Sequence, residues 1–343
     1  MRRTTAVGLA LVLQASVLQG CSPSATPPPA TPQPALAASP ALPGAGGGLG
    51  HASPAPSSAG PCTIFPADNV WHADVSRLPV SRDSAAWVAS IGAAAHAHPD
   101  FGTTSGIPVT NVPAGQAKVK VTFEYAGESD PGPYPIPRNA RVEGGANAGG
   151  DRHVIVQDTA ACKAYELYAA SPQPDGSWKA GSGAVYDLRG NALRKSGWTS
   201  ADAAGLPILP GLPRAEEAAA GRIDHAIRFT APKTRKAFVW PARHAASDAT
   251  DAALPPMGAR FRLKASVDIA KFPPQARAVA QALKTYGAIL ADNGSPWYFT
   301  GAEDAKWSNT QLDALKALKG SDFEAVDASL LMVDPNSARC RAG

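Results

Sequence analysis

The sequence predicts an α+β fold, a mainly antiparallel β-sandwich or curved sheet with a few peripheral helices. Three observations predict it. Short period-two runs occupy the middle of the chain, helical patterns gather towards its end, and no internal repeat breaks that order. With 343 residues, 44% of them hydrophobic, there is ample material for a large core.

Residues 1–21 read as an export signal. Arg2 and Arg3 form its basic start, and AVGLALVLQASVL is an apolar run too short for a transmembrane helix. The run ends in Leu18-Gln19-Gly20-Cys21, which resembles the bacterial lipobox, where Cys21 is lipidated and becomes the mature N-terminus. By the same resemblance, Ser22 directs the lipid to the outer membrane of a Gram-negative host. Residues 22–60 are mostly Pro, Ala, Ser, Gly and Thr without Lys, Arg, Asp or Glu, a composition that cannot bury enough apolar surface to fold. They form a disordered tether, reaching on the order of 120 Å when extended at about 3.1 Å per residue. Residues 61–343 are then one folded domain. Arg2 and Arg3 supply two of the +4 net charges, and the +2 left is interspersed, which excludes a nucleic-acid footprint. Membrane contact is expected through the lipid alone.

Within the domain, Ser84–Ile91 reads as a short helix stopped by Gly92. VKVTFEY (119–125) alternates as a strand, and the proline-rich ESDPGPYPIP (128–137) fits no regular element. The clearest signal is a hairpin from HVIVQD to KAYELYA. With TAAC as its connection, Val156 faces Tyr165 and Val154 faces Leu167, which makes one apolar side. His153 beside Tyr168 and Ile155 beside Glu166 make the other. AVYDL (184–188) supplies a third strand. GWTSADAAGLPILPGLP (197–213) is a long connection too apolar for solvent, so it is expected to pack over the sheet. IDHAIRF and AFVW (223–240) suggest a further hairpin, and ARFRLKASVDI (259–269) another strand. Pro274–Leu290 has helical spacing throughout, and Ser308 with Gln311 forms a capping box for a last helix ending at Gly320.

Several side chains carry candidate chemistry. His153, Glu166 and Tyr168 share one hairpin face, an imidazole, a carboxylate and a phenol suited to acid–base work. Asp292 precedes the Asn293-Gly294 turn, with Trp297 and Tyr298 close behind. A carboxylate among exposed aromatics suits a sugar, whose apolar face stacks on rings while its hydroxyls seek Asp and Asn. The expected catalytic residues are therefore His153, Glu166, Tyr168 and Asp292, with Arg152, Asn293, Trp297 and Tyr298 binding substrate. The same residues also fit structural roles: Asp151 pairing with Arg152, His225 a satisfied core histidine, Asp224 pairing with Arg243, Asp202 capping a turn. His244, at a strand end, fits a loop site equally well. His96, His98 and Asp100 lack the CxxC or HExxH company of a metal site, and no metal or cofactor is expected. Ser182 in GSG lacks the nucleophile-elbow pattern of an esterase. An exported domain with Cys62, Cys162 and Cys340 allows one bridge with one thiol left over, and proximity of chain ends favours Cys62–Cys340.

Together CTIFPADNVWHADVSRLPV, HPDFG, GDRHVIVQD, CKAYELY, GWTSADAAGLPILPGL, PPMGARFRLKAS and ADNGSPWY resemble a group of secreted or lipid-anchored bacterial proteins. The likeness covers nearly all of residues 62–325. It implies a Cys62–Cys162 bridge and transfers no activity. The reading that follows is a surface-anchored protein contacting polysaccharide: a hydrolase using Glu166 and Asp292, a lyase using His153 and Tyr168, or a non-catalytic glycan-binding protein.

Overall fold

The computed structural model describes residues 62–341. The export signal, Cys21 and the tether lie outside the described residues. Thirteen strands follow one another among those described. The first five are β1 (His98–Asp100), β2 (Val109–Val112), β3 (Val121–Phe123), β4 (Val154–Asp158) and β5 (Lys163–Tyr168). Then come β6 (Ser171–Pro172), β7 (Trp178–Ala180), β8 (Ser182–Asp187), β9 (Ile227–Ala231) and β10 (Arg260–Leu263). The last are β11 (Ala288–Asn293), β12 (Tyr298–Thr300) and β13 (Phe323–Val326). The four α-helices are α1 (Ser84–Ile91), α2 (Ala215–Ala219), α3 (Pro274–Thr285) and α4 (Asn309–Leu312).

The fold is α+β, and its strands divide among three mixed sheets. A six-stranded sheet runs β1-β12-β9-β11-β10-β13, a four-stranded one β2-β4-β5-β8, and a three-stranded one β3-β7-β6. Six of the ten ladders are antiparallel, in keeping with a mainly antiparallel core, but each sheet also contains a parallel pair. The β1–β12, β9–β11, β2–β4 and β3–β7 ladders are all parallel. Parallel neighbours come from distant stretches of chain, a pairing that no local pattern encodes.

The central hairpin adopts the expected register: Val154 opposes Leu167, Ile155 opposes Glu166 and Val156 opposes Tyr165. Its third strand is β8. Neither face is open, however. Val154, Ile155, Val156, Glu166 and Leu167 are all buried, because the 197–213 connection covers the second face as its apolar content demands. Leu206, Ile208 and Leu209 are buried in that cover, and Glu166 receives the backbone N–H groups of Ile208 at 2.8 Å and Leu209 at 2.9 Å.

Two further expectations fail. The helix beginning at Pro274 stops at Thr285, and Ile289 and Leu290 belong to β11 instead. Gly287, at φ 66°, turns the chain out of the helix, and its Cα lies against the Phe261 carbonyl where a Cβ would be only 2.2 Å away. The strand that follows is buried on both faces, so its apolar run lacks alternation and continues the helical pattern. No hairpin joins 223–229 to 237–240. β9 pairs with β11 and β12, while Phe238 makes only an isolated bridge to Met257. The disulfide joins Cys62 to Cys162, the pairing that the resemblance implies rather than the one that chain ends favour, and leaves Cys340 free and buried.

Candidate functional site

A cavity of about 220 Å³ opens where the C-terminal end of β11 meets the end of β5 and the start of β8 beneath the 199–203 segment. Asp292 and Asn293 reach it from β11, Tyr168 from β5, Ser182 from β8, and Asp151, Asp202 and His244 from loops. The strand position of Asp292 depends on an irregularity. The β9–β11 register shifts between Leu290 and Asp292, leaving Ala291 unpaired in the ladder. The freed Ala291 carbonyl accepts the Ala204 N–H at 2.9 Å, which ties the cover segment to the strand beside Asp292. Gly205, at φ 70°, makes the turn that follows, where a Cβ would lie 2.5 Å from the Trp198 carbonyl.

Three carboxylates and one guanidinium set the electrostatics. Arg228 Nε donates to Asp202 Oδ2 at 3.1 Å, and its side chain is 4% exposed against 0% for Asp202. Its Nη1 donates to Thr300 Oγ1 at 2.9 Å. Asp292 Oδ2 is farther, at 4.0 Å from Nη2. Burial pushes the Asp292 carboxyl up to about 7, with repulsion from Asp202 adding to it and Arg228 opposing. Burial also raises Asp202, with Arg228 pulling against it. One guanidinium cannot neutralise two carboxylates. The nearer Asp202 takes the ion pair, and the proton falls to Asp292. Asp292 retains 22% of its side-chain surface, so its carboxyl is reachable from the cavity it lines.

His153 lies behind this wall, 2% exposed. Its Nδ1 lies 2.6 Å from Glu143 Oε2 and its Nε2 3.1 Å from the Ala201 carbonyl. Both partners only accept, so both ring nitrogens donate and the ring is an imidazolium. Burial works against that charge, but the Glu143 carboxylate outweighs it and holds the ring above its ordinary value. With both nitrogens occupied, His153 has no proton to exchange with a ligand. It anchors residue 201 and thereby the roof of the cavity.

The other expected residues divide in the same way. Glu166 is wholly buried, and burial pushes it up to about 7 against the two N–H groups it accepts. It does not line the cavity. Arg152 adopts φ 49° and donates to the carbonyls of Ala170, Ala146 and Ala148, so it pins a loop and leaves Asp151 unpaired. Trp297 is fully buried, stacked 5.0 Å from Phe323 with its Nε1 on the Gly92 carbonyl. It is core, which corrects the expectation of an exposed sugar platform. Tyr298 packs at 4.1 Å on His98, away from the cavity. Asn293 reaches the cavity, but its amide is engaged by Thr234 and the Ala246 carbonyl.

Asp224 pairs with Arg222 at 2.8 Å rather than with Arg243. His225 is the satisfied core histidine expected, held between Glu217 and its neighbour's carbonyl. Among the described residues no group of His, Cys, Asp and Glu forms a metal-binding cluster. Of the eight expected site residues, Tyr168, Asp292 and Asn293 meet in the cavity. Tyr125, exposed at its rim, was not anticipated, and only its place at the end of a predicted strand hinted at it. No family model, curated protein or solved structure matches the chain.

Proposed function

We propose that this protein is an exported, lipid-anchored hydrolase of glycosidic bonds, held at the cell envelope through Cys21 and binding polysaccharide in the cavity. One observation carries the catalytic half: a carboxyl poised near neutral protonation, Asp292, faces a cavity that also holds the unpaired carboxylate of Asp151. Two-carboxylate hydrolysis needs that division of labour, with one group protonated at working pH and the other ionised. Asp292 gives its proton to the glycosidic oxygen as the bond to the anomeric carbon breaks. Asp151 takes a proton from the water whose oxygen adds to that carbon. The exposed Tyr125 ring at the rim offers the apolar face that a sugar stacks on.

Elimination from a uronate is less well supported, since that chemistry needs a cation to neutralise the substrate carboxylate. Arg228 is already engaged, and neither Lys nor Arg lines the cavity. The test is a polysaccharide panel incubated with the full chain, reading new reducing ends and absorbance at 235 nm. Reducing ends without absorbance support hydrolysis. Absorbance as well means elimination, and retardation in affinity electrophoresis without product means binding alone. Palmitate labelling lost in Cys21→Ser tests the anchor.

A further inference from the structure

The polarity of the cavity wall carries the reading one step further, to the class of sugar. We infer that the cavity selects a hexosamine unit bearing a free ammonium, over neutral N-acetylated sugars and over uronates. This rests on the glycan reading above. The first support is charge. Three carboxyl groups reach the cavity, of which Asp292 holds a proton, and neither Lys nor Arg lines it. One carboxylate is paired with Arg228 from behind, and Asp151 has no ion-pair or side-chain hydrogen-bond partner among the described residues.

The second support is the direction of the hydroxyl protons, which is independent of net charge. Ser182 Oγ donates to the Ser200 carbonyl at 2.6 Å, and Ser200 Oγ to the Leu206 carbonyl at 2.6 Å. Thr199 Oγ1 donates to the Asp202 carbonyl at 3.3 Å. Each of these three hydroxyls spends its one hydrogen on the backbone, and Ser200 Oγ also accepts the Asp202 N–H at 2.9 Å, so none has a hydrogen left for a ligand. His244 behaves likewise: its Nδ1 lies 2.8 Å from the Ala203 carbonyl, which can only accept, so the Nδ1 hydrogen is also spent on the backbone. The side of the wall built from residues 199–203 and 244 therefore offers acceptors, while the donors are the Asp292 carboxyl and the Tyr125 and Tyr168 hydroxyls. A uronate carboxylate is an acceptor of the wrong sign for it. An N-acetyl group brings one N–H and an acceptor carbonyl, whereas an ammonium brings three donors and a positive charge.

Volume limits the ligand as well. At about 220 Å³ the cavity is smaller than the roughly 300–1,000 Å³ of drug-sized sites, which suits one sugar residue of a longer chain.

Isothermal titration of the full chain against three oligosaccharide series tests the assignment: free hexosamine oligomers, the same oligomers N-acetylated, and oligouronates. Reducing-end release is read alongside on the matching polymers. The amine series is expected to bind at least tenfold more tightly than its acetylated counterpart, with no measurable uronate binding, and its advantage should shrink as salt is raised. Equal or tighter binding of the acetylated or acidic series, with turnover, overturns the ammonium assignment and leaves glycoside hydrolysis standing. Neither binding nor turnover on any series overturns both.

Discussion

Arg228 and Asp202 form a buried ion pair, Nε to Oδ2 at 3.1 Å, that joins the six-stranded sheet to the segment roofing the cavity. Taking either charge away leaves the other stranded in the core. Asp202→Leu should therefore cost about 3–5 kcal/mol in denaturant unfolding, whereas the double change with Arg228→Met should recover most of it. A single change costing under about 1 kcal/mol would show that the pair is hydrated and the charge accounting at Asp292 mistaken.

Asp292 should impose a basic limb on activity. A general acid works only while protonated, so kcat/KM is expected to fall as pH rises through about 7. Asp292→Asn should lower turnover by about 10²-fold or more. Stability carries the same sign. The folded carboxyl is raised from an ordinary 3.8 to about 7, so its contribution is complete below 3.8 and is lost as pH climbs to about 7. Thermal melts of Asp292→Asn across that window should show a shallower decline than the wild type. An unchanged pH–rate profile in the variant sinks the acid assignment.

Glu166→Gln should behave as a structural lesion. The carboxylate receives one backbone N–H on each oxygen, and a glutamine amide would turn a donor towards one of them. About 1–3 kcal/mol of stability should go, the cost of an orphaned buried donor. Turnover per folded molecule should stay within about twofold, since one acid–base contribution is worth about 10²-fold or more. A well-folded Glu166→Gln protein without activity would return Glu166 to the catalytic role.

Cys62→Ala should weaken the fold substantially. The bridge spans 100 residues, and closing a loop of that length is worth up to about 4.7 kcal/mol through the unfolded state. Peptide mapping without reductant should recover Cys62 joined to Cys162, with the Cys340 thiol alkylated only after unfolding, because it is buried. Recovery of Cys340 in a bridge would refute the pairing.

The sequence alone determined what rests on local periodicity. The Val154–Leu167 and Val156–Tyr165 register follows from alternation and a short connection. The Ser84–Ile91 helix and its Gly92 stop follow from helical spacing and a residue free at φ 124°. The burial of Leu206 and Ile208 follows from their hydrophobicity, whatever covers what. Tertiary structure decided which polar groups a ligand can reach. Identical alternation places His153, Glu166 and Tyr168 on one face, yet the cover buries the first two and leaves Tyr168 at its edge. Asp202 reads as a turn former and becomes the partner of an arginine 26 positions away. Asp292 reads as a turn carboxylate, and its proton affinity is set by burial and by Asp202 across the cavity wall. Desolvation and charge pairing act through space between segments distant along the chain, and spacing along one segment holds no record of them.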